Sequence, residues 1–361
     1  MKKTLLATAI AGALGASAAA QAATVYNQDG TKLDLYGNIQ IAYANTKDGE
    51  GERQDELLDN GSTFGFNAEH VINPGLTGYL KLEFDDFQAD EIKVRGRDAG
   101  DQAYVGLRGN FGDGRLGSYD PLIDDWIQDP VSNNEFFDVS DSNGAIVDGY
   151  GIGDREGDKF TYTSPSLGGF QFAVGTQYKG DAEEINDEVE SDSSASFFGG
   201  VKYAVGAFSI AAAYDNLDNY DADFTGGGSF DAGEQYGITA QYTVDTLRVA
   251  LKLERFEAGQ DSFGGEAIDD INFYGLGARY GYGMGDIYAA YQYVDVGAGT
   301  LLSELDETIQ DEQDRDETYN EVILGATYNI SDAMYTWVEG AWYDKANDED
   351  DGVAVGVTYL F

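Results

Sequence analysis

Apolar and polar side chains alternate with a period of two through most of this chain, the spacing that puts one set on each face of a β-strand. In Gly352 to Phe361, residues Val353, Val355, Val357, Tyr359 and Phe361 share one face. Gly352, Ala354, Gly356 and Thr358 share the other. Lys32 to Tyr43 repeats the pattern, with Leu33, Leu35, Ile39, Ile41 and Tyr43 opposed to Asp34, Asn38 and Gln40. The same rhythm predicts strands at 63–71, 76–87, 102–111, 115–119, 159–163 and 170–178. In the second half it predicts them at 197–204, 208–214, 235–242, 247–256, 271–280, 287–296, 319–329 and 334–343.

Between these segments, tight turns such as Asn73-Pro74-Gly75 and Gly112-Asp113-Gly114 alternate with longer polar stretches, of which 120–157 is the longest. The segments number sixteen. A strand with a continuous apolar face needs cover, and a closed barrel in a membrane supplies it, because lipid takes that face and the first strand pairs with the last. Segments of this length cross a bilayer when tilted, which takes roughly 9–11 residues each. Sixteen strands enclose an aqueous lumen, whereas about eight would pack shut. The expected fold is therefore all-β: a 16-stranded antiparallel transmembrane β-barrel with short periplasmic turns and long external loops, formed by residues 23–361 as one domain.

The start of the chain has a different character. Lys2 and Lys3 precede an apolar run, Leu5 to Ala16, and Ala20-Gln21-Ala22 has the small-residue spacing of a cleavage site. Residues 1–22 are read as an export signal removed from the mature protein. No other window approaches the roughly 18 apolar residues of a membrane-crossing helix.

Composition sharpens the picture in three ways. The net charge of −45, or −47 once Lys2 and Lys3 leave with the signal, provides no basic stripe for nucleic acid. An acidic excess of this size suggests disorder in a polar chain, but 25 Tyr, 19 Phe and three Trp argue for a packed, strand-rich protein. Zero cysteines exclude a disulfide framework, a thiolate metal site and a thiol nucleophile.

The stretch Ala23-Thr-Val-Tyr-Asn-Gln-Asp-Gly-Thr-Lys-Leu-Asp-Leu-Tyr-Gly37 closely resembles the opening of Gram-negative general-diffusion porins. Leu76-Thr-Gly-Tyr79 and the Tyr359-Leu360-Phe361 ending are similar to the same family. The resemblance covers the whole mature chain and is weaker in the loops. It implies an outer-membrane homotrimer whose third external loop folds inward to narrow the pore. It also implies that Phe361 and Tyr359 form the signal read by the barrel-assembly machinery.

By that resemblance the third loop is the 120–157 connection. Its acids include Asp124, Asp125, Asp129, Glu135 and Asp138, and its Trp126, Phe136, Phe137, Ile146 and Val147 mark it as a packed loop. Asn134-Glu135-Phe136 resembles the family's loop-tip motif, with Asn in place of Pro, which makes Glu135 the first candidate for a constriction acid. In the family a ladder of basic residues faces these acids. Arg155 matches one member, while Asn38, Thr63 and Asp101 stand where the others align. The resemblance therefore implies a weakened positive wall and a lumen dominated by carboxylates.

Acids around a narrow aqueous path concentrate cations and repel anions. The expected function is passive diffusion of small hydrophilic solutes and cations, with no cofactor. The alternative is a substrate-specific channel or a surface receptor or adhesin. The acidic runs 181–190, 306–317 and 344–351 lack the spacing of a dedicated calcium loop and read as solvated faces. A diffuse role for them, holding divalent cations between protein and lipopolysaccharide, also fits. Catalysis is not expected: the only histidine, His70, lies beside the turn at 73–75, at the opposite end from the long loops.

Overall fold

The computed structural model describes residues 22–85, 87–88, 93–94, 102–132, 134–143, 157–180, 189–190, 193–224, 228–260, 262–263, 266–267, 270–297 and 318–361. Sixteen wall strands follow one another around a closed antiparallel barrel. They are β1 (Thr31–Lys47), β2 (Arg53–Asp59 continued by Thr63–Asn73), β3 (Leu76–Phe84) and β4 (Ala103–Gly109). Next come β5 (Gly112–Ser118), β6 (Lys159–Thr163), β7 (Phe170–Lys179) and β8 (Ser194–Val205). The third quarter is β9 (Phe208–Asn216), β10 (Glu234–Val244), β11 (Leu247–Glu257) and β12 (Ile271–Gly281). The last is β13 (Asp286–Val296), β14 (Tyr319–Ser331), β15 (Met334–Tyr343) and β16 (Gly352–Leu360).

Each strand alternates as its sequence dictates. Along β16, Val353, Val355 and Tyr359 are exposed on the outer face, where lipid covers them, while Ala354 and Thr358 point inward and are buried. The inward positions elsewhere are often small, as at Ala42, Ala173, Ala211, Ala250 and Ala341, which leaves room inside the wall. Closure pairs β1 with β16 in a register running from Asn38 opposite Leu360 to Thr46 opposite Gly352. Gly37 and Phe361 then exchange both backbone N–H···O bonds at 3.0 Å. The Phe361 ring packs against Phe64, 6.4 Å between centroids.

Two features depart from the sequence reading. The acidic stretch after β1 is not a long loop. β1 and β2 both continue through it, paired from Ile41–Asp59 to Lys47–Arg53, so that only residues 48–52 form the connection. Residues 60–62 interrupt β2 without ending it, because β1 pairs with both of its segments. In addition, a short strand, Ala23–Gln28, precedes the wall and folds back on β1 around Asp29-Gly30. Both turn residues have positive φ, 51° and 75°, the geometry of a two-residue hairpin that Asp-Gly favours. This strand pairs with residues 31–35 of β1, on the edge that β16 leaves free below Phe361.

Short connections at 74–75, 110–111, 206–207, 245–246 and 332–333 gather on one rim, and the longer ones leave from the other. The longest joins β5 to β6 and turns into the lumen.

Candidate pore constriction

The inward loop begins with helical turns, a wide π-type turn Asp124–Gln128 running into α-helical Asp129–Ser132. Leu122, Ile123, Trp126, Ile127 and Val131 are buried, and these turns lie against β9 to β12. Wall glycines make the close approach possible. A Cβ at Gly237 would lie 2.6 Å from Ile127 Cγ2, and one at Gly200 would lie 3.0 Å from the Trp126 ring. The apolar residues therefore face the wall, and Asp124, Asp125 and Asp129 form the less buried side. Ile146 and Val147, expected to pack with this loop, lie outside the described residues.

Past the helical turns the chain is pinned by three glutamates that project inward from the wall. Glu339 on β15 accepts the backbone N–H groups of Glu135 (3.0 Å), Phe136 (3.0 Å) and Phe137 (2.5 Å). Glu321 on β14 accepts the N–H of Ser140 at 2.9 Å. Glu254 on β11 accepts the N–H and the Oγ–H of Ser142 at 3.2 and 2.6 Å. Lys252 neutralises Glu254 at 3.0 Å in a fully enclosed ion pair and also donates to the Ser140 carbonyl at 3.2 Å. Carboxylates that accept several N–H groups form strong, charge-assisted bonds, which holds an irregular segment in one place. The loop tip also reaches β2's interruption, where Asn60 Nδ2 donates to the Glu135 carbonyl at 2.7 Å.

The expected constriction acids thus take different stations. Glu135 sits at the loop tip, close to the β12 and β15 wall, with its carboxylate 3.8 Å from Arg279 and accepting from Tyr335 Oη at 3.1 Å. Burial pushes it up to about 7, with Arg279 pulling the other way. Burial, reinforced by the charges of Asp125 and Asp120, raises Asp129 to about 7. Burial and the neighbouring Asp129 charge lift Asp124 to about 9. Asp125 and Asp138 are crowded by protein and pushed upward as well, but each keeps an open side to lumen water, which moderates the shift.

In a sixteen-stranded ring the wall opposite β10 and β11 is β2 and β3. There the expected neutral positions meet: Asn38 Nδ2 donates to Thr63 Oγ1 at 2.8 Å across the β1–β2 pair. Lys81 on β3 is held by Glu83 at 3.0 Å and Gln102 at 2.9 Å. Arg155 and Asp101 lie outside the described residues.

Beside the weakened positive wall expected at Asn38, Thr63 and Asp101, the structure adds bases that the aligned positions did not mark. Arg115, Lys159, Lys202, Arg248, Lys252 and Arg279 all belong to inward-facing positions, beside or behind the loop. Several are neutralised locally: Arg115 lies 3.7 Å from Asp125, and Arg279 is also 3.8 Å from Asp286. Inward strand parity was the available signal, and it marks Glu254, Glu321 and Glu339 equally.

A closed barrel with a lumen narrowed by a wall-pinned acidic loop defines a diffusion channel of the bacterial outer membrane. The chain belongs to the Gram-negative porin family, which it matches over residues 7–349. It is 60% identical over 374 residues, the whole of both chains, to a monosaccharide porin of a Halomonas species. It is 27% identical to outer membrane porin F of Salmonella typhi over 384 residues, again the whole of both chains. Among solved structures, an OmpF of Salmonella typhi in complex with daunomycin aligns with TM-score 0.67 at 22% identity, covering 94% of this chain and 100% of that one. An anion-selective porin from Comamonas acidovorans aligns with TM-score 0.68 at 19% identity, covering 92% and 100%. The protein is an outer-membrane porin, a multi-pass β-barrel for diffusion.

Proposed function

We propose that this porin prefers cations and neutral solutes over anions and passes small hydrophilic molecules, sugars among them. An anion-selective barrel of the same fold means that selectivity must be argued from side chains. One observation carries the reading: Asp129, on the less buried side of the loop, and Glu135 at its tip are both ionised above about pH 7, while Asn38, Thr63 and an acid-paired Lys81 stand on and beside the opposite wall. Low-dielectric walls focus the field of these acids, so they govern the permeating ions more than the many acids at the rim. Passage of sugars is supported by the name of the 60%-identical relative. Membership of the family supports a homotrimer, with lipopolysaccharide around it and Phe361 and Tyr359 as the assembly signal.

The test is the reversal potential of the purified protein in a planar bilayer across a tenfold KCl gradient. The expected result is a shift towards the K⁺ equilibrium potential that Asp129→Asn and Glu135→Gln each reduce. A shift towards Cl⁻ would sink the reading.

A further inference from the structure

The outer mouth of the lumen holds a cavity of about 370 Å³ that shares only Asp138 with the expected constriction acids. Its floor is loop residues 138–141, and its wall is the external ends of β12, β14 and β15 with the turn after β15. We propose that it is a binding subsite for a single neutral monosaccharide, held against Tyr319 and Tyr343 by hydrogen bonds to Asp138, Asp141, Asp350 and Lys345. The inference rests on the diffusion-pore reading and adds to it a station at which the solute pauses.

Four observations fix the chemistry of the occupant. First, the volume falls at the lower end of the range for small-molecule pockets, which suits one sugar ring rather than an oligomer. Second, the lining combines aromatic rings with a dense set of polar atoms. A pyranose has C–H faces for the former and hydroxyls for the latter, so both surfaces are satisfied together. Third, the polar atoms are of both kinds. The carboxylates accept, the Lys345 ammonium donates, and the Ser140 and Tyr319 hydroxyls do either. Fourth, three acids against one base disfavour an anion. Among the described residues, which include all of this lining, no three acidic groups converge as metal ligands.

The site is built rather than incidental. Lys345 Nζ lies 5.7 Å from the Tyr319 ring centre and 5.0 Å from that of Tyr343, and it is 2.8 Å from Asp350. Tyr343 Oη donates to the Asp138 carbonyl at 2.7 Å, which ties the aromatic wall to the floor. Asn347, Asp348 and Asp350 all have positive φ, so the turn carrying Asp350 holds a conformation that side chains rarely adopt.

Two readouts test the proposal on the full-length protein. Glucose is titrated against single-channel current in a planar bilayer and, separately, against saturation-transfer NMR of the detergent-solubilised protein. Saturable signals in both are expected. Tyr319→Ala should raise the half-saturation concentration by about tenfold, Asp138→Asn should raise it by less, and Tyr319→Phe, which keeps the ring, should stay close to the parent. A response linear in glucose, or one that none of the variants alters, overturns the subsite even if ion conductance is intact. Saturation by tetramethylammonium but not by glucose also overturns it, in favour of a small organic cation. Absence of conductance would instead strike at the pore reading, and the NMR titration would still decide the subsite.

Discussion

Glu339 Oε1 accepts the backbone N–H of Phe136 at 3.0 Å, joining a strand at the end of the chain to the tip of a loop 203 residues earlier. The bond has charge on the acceptor and is one of three backbone N–H bonds to a carboxylate that also accepts the Tyr288 hydroxyl. Bonds of this kind contribute about 1.5–3 kcal/mol each when a partner is charged. Glu339→Gln keeps one acceptor oxygen and puts an amide donor against N–H groups. The expected outcome is a loosened loop tip, read as greater open-channel current noise with the barrel's thermal unfolding little changed.

Selectivity should depend on pH near neutrality. Glu135 and Asp129 are both raised to about 7, so their negative charge is present above that pH and is lost as pH falls through it. Cation preference is therefore expected to drop between pH 8 and pH 6. Reversal potentials across that window check it, and Asp129→Asn together with Glu135→Gln should flatten the curve.

Salt should act in the same direction by another route. The screening length shrinks from about 10 Å at 0.1 M to about 3 Å at 1 M. Rim acids such as those at 344–351 then cease to be felt at the pore axis, while acids beside the narrow path still are. The expected K⁺/Cl⁻ permeability ratio falls as mean salt rises and levels off above unity. A ratio independent of salt would confine selectivity to the constriction.

Gly237 is the place where the wall yields to the loop. A Cβ there would meet Ile127 Cγ2 at 2.6 Å and the Leu253 carbonyl oxygen at 3.0 Å, the second of which is backbone and cannot swing away. Gly237→Ala is expected to displace the helical turns into the lumen at a cost of about 1–3 kcal/mol. Reduced conductance with an unchanged heat-modifiable barrel band on a gel would show it.

The wall was legible in the sequence because a strand with one face in lipid has to alternate, and the register follows from the alternation. Val353 to Tyr359 and the partner stretch around Ile39 to Tyr43 gave away the closing seam. The loop's pinning was less visible. Glu339 lies between Val338 and Gly340 and reads as one more lumen polar residue, since nothing local says that Phe136 will come to it. The bases behind the loop were hidden for the same reason: Lys202, Arg248 and Arg279 acquire meaning only when a segment far away in sequence settles beside them. The Ala23–Gln28 strand could have been found, for Asp29-Gly30 is a strong hairpin signal.

The Gly37–Phe361 pairing sets the order in which this molecule can come into being. β1 carries an open row of backbone donors and acceptors until β16, some three hundred residues later, arrives to fill it. Any synthesis halted short of the last strand leaves a curved sheet with two sticky margins, not a smaller pore. The Ala23–Gln28 strand shields only the first few positions of one margin, so the rest must be chaperoned by something else until the ring shuts.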